Sequence, residues 1–301
     1  MPEIKIPLSV PSSKKSEYKR NYNLATGGTG KLLLIAGDQK VEHLNDDFFG
    51  TGISKEDASP EHLFKIAAGT KKALFATHLG LISQYGATYR HIPYLVKLNG
   101  KSNIGLNDEK NSSKCWWKVD DIVNFKKQSG LNIVGIGYTL YLGGKFEAEM
   151  LAKAAKAIYC AHENGLIAVI WVYPRGKNVK EEDIHTIAGG AGMAACLDAD
   201  FAKVKYPYGS KNAKLTAEKF LEVTLAAGRT KIICVGGNKR TAKEMLSTTK
   251  DQMIISKTSG LAIGRNLHQR PLAEAIKLAN DISLVIHNTE AKRKTSFLGI
   301  F

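Results

Sequence analysis

The sequence has no long apolar run: the longest, 166–173, contains only eight residues. A helix that spans a membrane needs about 18 to 20 predominantly apolar residues in a row. The N-terminal segment carries Glu3 and Lys5 where a secretion signal would have its apolar stretch. These absences exclude a helical membrane protein and predict a cytoplasmic protein with no membrane partner.

Cysteine is scarce, and its four residues, at positions 115, 160, 196 and 234, form no C-x-x-C pair. Scattered single thiols are typical of a reducing compartment. An H-E-x-x-H motif is also missing, and the eight histidines show no ligand spacing. Asp38, Glu42 and His43 form the one compact group of metal-ligand types, and we predict no metal site.

Acidic residues are fewer than basic ones, 28 against 43, which gives a net charge of +15. Such a charge favours nucleic acids or small anionic substrates as partners. The basic clusters are short and spread along the chain, and no basic stripe alternates with aromatic residues. We therefore predict no nucleic-acid partner and interpret most of these lysines as solvated surface.

What the sequence does contain is a regular alternation of short apolar runs and amphipathic helical stretches. Eight runs indicate strands: 32–37, 73–77, 94–98, 133–138, 167–173, 201–205, 231–235 and 261–264. The later ones start roughly 30 residues apart, the length of one βα unit. Eight buried strands, most followed by a helix, predict an α/β fold, a closed (β/α)8 TIM barrel. An open doubly wound sheet is the alternative.

No linker or change of composition divides the chain, so we predict one barrel domain over 1–301. Residues 1–30 are interpreted as an N-terminal extension, 99–117 as an insertion and 289–301 as a C-terminal tail. The basic and apolar residues of the tail make it a candidate contact in a homo-oligomer. Apolar spacing predicts helices at 146–162, 216–227 and 271–282, and only a short helix fits between the second and third strands.

Polar residues at the carboxyl ends of barrel strands are the candidates for an active site. Strand alternation puts Lys203 and Lys205 on one face, while Ala202 and Val204 share the face suited to packing under helices. Lys203 then points into the barrel, where desolvation and the charge of Lys205 lower its pKa. A neutral amine attacks carbonyl carbon, which predicts a Schiff-base lysine. In the alternative, one lysine pairs with an aspartate and the other reaches solvent.

Further candidate residues accompany Lys203. Asp38 follows the first strand, and Trp171 and Tyr173 point inwards together on the fifth. A phenol beside a Schiff base can move protons, although aromatic pairs inside barrels are commonly core. Glycine turns follow the seventh and the eighth strands, and the turn after the eighth leads into Arg265. Such turns can bind a phosphate through backbone N–H groups, or they can serve only as tight turns.

Several motifs, taken together and in this order, resemble the archaeal and bacterial type of class I fructose-1,6-bisphosphate aldolase, one of the Schiff-base barrel aldolases. The motifs are Gly37-Asp38-Gln39 with Glu42-His43, Trp171-x-Tyr173-Pro174-Arg175-Gly176, Ala199-Asp200-x-x-Lys203, Gly236-Gly237 and Ala262-Ile263-Gly264-Arg265-Asn266. The resemblance covers about residues 32–270.

The resemblance implies a metal-independent enzyme of glycolysis and gluconeogenesis that forms a covalent imine on Lys203 and needs no cofactor. It implies that Tyr173 donates and accepts protons, that Asp38 assists as an acid or base, and that Trp171 lines the pocket of a phosphorylated sugar. The residues implied to hold phosphate are Gly236, Gly237, Gly264 and Arg265.

Two alternatives differ from this expectation. Related barrels use a comparable lysine on another phosphorylated ketose or on a dicarbonyl, so the lysine alone does not fix the substrate. A basic scaffold or nucleic-acid-binding protein would not require Lys203 at all.

Overall fold

The fold is described from a computed structural model that covers residues 3–104, 111–210 and 212–289. The strands are β1 Leu32–Ala36, β2 Ala73–His78, β3 Tyr94–Lys97, β4 Asn99–Gly100, β5 Lys114–Cys115, β6 Ile133–Leu142, β7 Ile167–Pro174, β8 Phe201–Val204, β9 Lys231–Val235 and β10 Gly260–Ile263. Eight of them, all parallel to their neighbours, close into a barrel in the order β1-β10-β9-β8-β7-β6-β3-β2. The predicted TIM barrel is confirmed, and the open sheet is wrong.

Helices surround this barrel. They are α1 Lys15–Thr26, α2 Gln39–Glu42, α3 Glu61–Gly69, α4 Leu79–Tyr85, α5 Val119–Ser129, α6 Glu147–Glu163, α7 Ile184–Cys196, α8 Ala213–Lys219, α9 Leu221–Ala226, α10 Ala242–Ile254, α11 Arg265–His268 and α12 Leu272–Asn288, with 3-10 turns at Ser12–Lys14 and Lys55–Ala58. The helices predicted at 146–162 and 271–282 are confirmed, as is the short α4. The stretch predicted as one helix at 216–227 is divided at Phe220 into α8 and α9. Within the described ranges, no helix is long and apolar enough to cross a bilayer.

The barrel interior changes character along its axis. Near the amino ends of the strands it is filled by apolar side chains such as Leu32, Leu74 and Phe201. Near the carboxyl ends, two lysines, on β3 and β8, are buried inside it. This polar layer at one end of an apolar interior positions the candidate site.

The predicted N-terminal extension is part of the barrel core. Val10, Tyr18, Tyr22 and Ala25 are buried and pack in one cluster with the inward side chains of the strands. The ring of Tyr22 stacks on Phe201 with their centroids 5.7 Å apart. The segment therefore covers the barrel at the end opposite the two lysines.

The predicted insertion contains the antiparallel pair β4 and β5. Next to it, the ring of Trp116 lies 4.7 Å from that of His78, between ring centroids. Residues 105–110 of the insertion lie outside the described residues, as does the predicted C-terminal tail beyond Thr289.

Candidate active site

Lys203 lies inside the barrel, as strand alternation predicts. It pairs in register with Trp171 of β7, and its Nζ atom is 4.8 Å from the centroid of the Trp171 ring. Only 4% of the residue is exposed. Burial lowers the pKa of Lys203 to about 8; Asp38 opposes this shift, and the charge of Lys97 adds to it. About a tenth of this amine is therefore neutral at pH 7.

The second cation is not the one expected from the sequence. Lys205 follows the end of β8, and its Nζ donates to Glu181 at the rim of the barrel. The expectation that Lys205 lowers the pKa of Lys203 is wrong, because β8 ends at Val204 and the Lys205 side chain is held at the rim. The neighbouring charge belongs to Lys97 of β3, which was not predicted from the sequence.

The charge of Asp38 interacts with both lysines. Asp38 lies two residues after the end of β1 and is 4% exposed, and its Oδ2 is 3.5 Å from Lys97 Nζ. Burial alone would raise the pKa of Asp38, but the charges of Lys203 and Lys97 outweigh it and lower that pKa. Asp38 is therefore a carboxylate at neutral pH.

Tyr173 lies two residues beyond Trp171 on the same face of β7, about 6.6 Å further towards the mouth of the barrel. Its ring stacks on that of Tyr141 at a centroid distance of 6.2 Å, and the Arg175 guanidinium is 5.7 Å from its centroid. Burial raises the pKa of Tyr173 well above its ordinary value, and the carboxylates of Asp38 and Glu42 raise it further. The phenol is therefore protonated in the free protein.

The two glycine turns lie side by side where β9 and β10 end. Gly237 has a φ of +72°, and the side-chain amide of Asn266 donates to the carbonyl oxygens of Gly236 and Gly237, both at 3.2 Å. The N–H of Gly236 is not free, since it donates to the carbonyl of Ala262. Arg265 is the first residue of α11, and its Nε lies 3.7 Å from Asp47 Oδ2.

Two further groups of the site, His78 and Thr139, were not predicted from the sequence. His78 ends β2 and is almost fully buried; burial and the charge of Lys97 lower its pKa to about 4, so its imidazole is neutral. Thr139 of β6 accepts a hydrogen bond from Lys97 Nζ. The parity argument that found Lys203 also places Lys97 on the inward face of β3, together with Leu95, and is the signal that was missed.

The compact metal-ligand group noted in the sequence does not converge on one point. His43 Nδ1 is 2.5 Å from Asp47 Oδ2, and Glu42 Oε2 accepts a hydrogen bond from Tyr141 Oη at 3.2 Å. Among the residues that the structure describes, no group of three or more His, Cys, Asp or Glu side chains is arranged to hold a metal ion.

A buried lysine of lowered pKa on the sixth barrel strand is the chemistry of an aldolase, and residues 32–270 match the family of DeoC/LacD aldolases. The chain belongs to this family. It is 51% identical over 281 residues to the fructose-bisphosphate aldolase/6-deoxy-5-ketofructose 1-phosphate synthase of Methanocaldococcus jannaschii, covering 93% of this chain and 89% of that protein. This aldolase is thus a carbon–carbon lyase, and the interpretation as a scaffold or nucleic-acid-binding protein is wrong.

Solved structures resemble this aldolase along nearly its whole length. The fructose-bisphosphate aldolase from Slackia heliotrinireducens has a TM-score of 0.90 at 44% identity, covering 97% of this chain and 92% of that one. An archaeal fructose-1,6-bisphosphate aldolase, solved with its catalytic lysine covalently bound to the carbinolamine intermediate of the substrate, has a TM-score of 0.74 at 27% identity. It covers 90% of this chain and 99% of that one.

Proposed function

We propose that this aldolase is a class I fructose-1,6-bisphosphate aldolase, in which Lys203 forms an imine with the substrate ketone and no metal takes part. The products are dihydroxyacetone phosphate and glyceraldehyde 3-phosphate. The observation that carries the proposal is the buried Lys203 amine, whose pKa of about 8 leaves part of it unprotonated at neutral pH. The names of the relatives support the choice of substrate.

Lys203 begins the reaction. Its neutral amine attacks the C2 carbonyl of the ketose, and the resulting carbinolamine loses water to give a protonated imine. The imine withdraws electrons from the C3–C4 bond, which breaks to leave an enamine on Lys203 and release the aldehyde. Protonation at C3 and addition of water then free dihydroxyacetone phosphate and regenerate the amine.

Tyr173 moves the protons in this proposal. Because its phenol is protonated in the free enzyme, it can donate a proton to the departing carbinolamine hydroxyl. The phenolate that results faces the cationic imine and takes the proton of the C4 hydroxyl as the C3–C4 bond breaks. Asp38, a buried carboxylate beside Lys203, stabilises the cationic imine and assists proton transfer.

The two glycine turns and Arg265 are proposed to hold a phosphate group. Gly237 adopts a left-handed conformation, and Arg265 supplies a cation at the start of α11. Trp171 is proposed to line the pocket beside the two lysines. Its Nε1 has no hydrogen-bond partner within the described part of the chain.

Sodium borohydride trapping tests the proposal. The protein is treated with dihydroxyacetone phosphate and borohydride, and peptides are mapped by mass spectrometry. We expect one adduct, on Lys203, which is lost in Lys203→Met and kept in the matched variant Lys205→Met. An adduct on another lysine, none at all, or activity that is lost with EDTA and restored by zinc would reject the mechanism.

A second candidate substrate follows from the name of the Methanocaldococcus relative, which includes 6-deoxy-5-ketofructose 1-phosphate synthase. The same imine chemistry would form that ketose phosphate by adding the dihydroxyacetone phosphate enamine on Lys203 to the aldehyde carbon of a dicarbonyl acceptor. A direct comparison of kcat/KM for both reactions, measured on one preparation, decides which substrate the pocket favours.

A further inference from the structure

Lys97 is a second buried lysine beside Lys203, and the mechanism above does not use it. The residue has no exposed surface. Its Nζ lies 4.4 Å from the centroid of the Trp171 ring, to which the Lys203 Nζ is also close at 4.8 Å. Burying an ammonium group is costly unless it is paired, so a second lysine at this depth requires an explanation.

The surroundings of Lys97 hold it in one place. Its Nζ donates to Thr139 Oγ1 of β6, and the Thr139 backbone is itself fixed by Asn99. The Asn99 side chain accepts from Thr139 N at 2.8 Å and donates to Thr139 O at 2.9 Å. The Lys97 side chain is therefore directed at the site by buried partners on the neighbouring strand.

The carboxylate of Asp38 connects the two lysines. Asp38 Oδ2 is 3.5 Å from Lys97 Nζ, and its charge stabilises a proton on Lys203 as well. An unpaired carboxylate at this position would hold Lys203 as an ammonium ion, which is not a nucleophile. Pairing with Lys97 compensates the negative charge of that carboxylate, and the positive charge of Lys97 disfavours protonation of the Lys203 amine.

We propose that Lys97 is a positioning residue whose buried ammonium group, paired with Asp38 and held by Thr139, keeps the Lys203 amine free to attack the substrate ketone near neutral pH. This role rests on the proposed function, since it presupposes an imine on Lys203. It is electrostatic, and Lys97 acts through Lys203 and Asp38 and takes no part in bond making.

The pH dependence of imine formation tests this role. We propose to measure the initial rate of borohydride trapping with dihydroxyacetone phosphate from about pH 6 to pH 10 in the wild type and in Lys97→Met. The wild-type rate rises with pH through a midpoint near the Lys203 pKa of about 8. In Lys97→Met we expect the midpoint to move upwards, with the rate at pH 7 falling about tenfold for each pH unit of the move. At the alkaline end the rate should approach that of the wild type.

Two control variants separate charge from packing. Lys97→Arg keeps the cation, so its midpoint should stay near the wild-type value even if its absolute rate falls. Lys205→Met removes a lysine held at the rim by Glu181 and should leave the midpoint unchanged. If Lys97→Met does not fold, as judged by circular dichroism, Lys97→Gln removes the charge while keeping a donor for Thr139.

The outcomes distinguish this proposal from the proposed function. A Lys97→Met rate lowered by the same factor at every pH would assign Lys97 a purely structural role and overturn the inference. An unchanged midpoint in Lys97→Met, or in Lys97→Gln where that variant replaces it, would also overturn it. If the wild type itself gives no adduct on Lys203 at any pH, it is the imine mechanism that fails.

Discussion

At the residue scale, the absence of a side chain at Gly137 makes room for the buried lysine pair. A Cβ atom there would lie 2.7 Å from the Trp171 ring and 2.9 Å from Lys97 Cδ. Carbon atoms do not approach so closely without displacement, and both neighbours belong to the candidate site. Gly137 therefore determines the relative positions of the Trp171 and Lys97 side chains.

We expect Gly137→Ala to lower kcat/KM by about 100-fold, because a displacement of about 1 Å in a reacting geometry has an effect of that size. Overpacking should also reduce the free energy of unfolding by about 1 to 3 kcal/mol. Steady-state kinetics and urea denaturation check both effects. Gly189→Ala is the matched control, since a Cβ at Gly189 would meet no atom within 4 Å. A folded Gly137→Ala protein with wild-type kcat/KM would show that the contact relaxes without consequence.

Lys203 could be found from the sequence because its strand places small apolar residues on the other face, a local signal. Lys97 lies in a strand of the same kind, yet its importance depends on Asp38 and Thr139, which are 59 and 42 positions away along the chain. Strand parity gives the direction of a side chain. It does not show which strands are neighbours in the closed barrel, and the β3–β6 pairing supplies that information.

At the element scale, the N-terminal segment contributes a buried hydrogen bond to the amino end of the barrel. The Tyr18 hydroxyl of α1 donates to Asp200, which also accepts from Ala168 N at 2.7 Å and lies 3.1 Å from His162 Nε2. Tyr18 is 1% exposed. The helix is therefore fixed to the loop before β8 through a carboxylate whose side chain is only 4% exposed.

Replacing Tyr18 by phenylalanine should destabilise the fold without affecting catalysis. The change leaves the Asp200 carboxylate with one hydrogen bond fewer, and hydrogen bonds to charged groups contribute about 1.5 to 3 kcal/mol. We expect a loss of that size in the free energy of unfolding, measured by urea denaturation, with kcat unchanged because Lys203 lies towards the other end of the barrel.

Tyr22→Phe is the control for this prediction. The Tyr22 ring stacks on Phe201, and its hydroxyl makes no hydrogen bond within the described part of the chain. Its removal should change the free energy of unfolding by less than about 0.5 kcal/mol. Equal losses in the two variants would mean that the Tyr18 hydroxyl contributes nothing specific.

The elements that could be predicted from the sequence are those with a strong periodic pattern of apolar residues. All eight barrel strands follow from their apolar runs, and α6 follows from a buried face at Met150, Ala154 and Ile158. The role of α1 could not be predicted, because its apolar residues are few and two of its buried side chains are tyrosines with polar ends. The break at Phe220 likewise arises from tertiary packing, since that residue is fully buried.

At the scale of the whole molecule, the net charge of +15 matches a substrate with two phosphate groups. Each phosphate carries about −1.5 to −2 charges at pH 7. Basic side chains stand at the carboxyl ends of the strands, where Arg175, Lys205 and Arg265 surround the mouth of the barrel. Glu181 and Asp47 compensate part of this charge locally. The long-range field therefore comes from the excess of lysine and arginine over the entire chain, and salt screens it.

Ionic strength is therefore expected to affect substrates according to their charge. Between about 0.01 M and 1 M salt the Debye length falls from about 30 Å to about 3 Å, so we expect kcat/KM for fructose 1,6-bisphosphate to fall about tenfold or more. Fructose 1-phosphate shares the reacting ketone and one phosphate and should lose less, while kcat should change little for either sugar. Steady-state kinetics in sodium chloride gives both slopes. Identical slopes would mean that salt acts on the enzyme itself and not on the attraction of the substrate. A steeper slope for the bisphosphate would show that the surplus of basic residues attracts the substrate before it reaches Lys203.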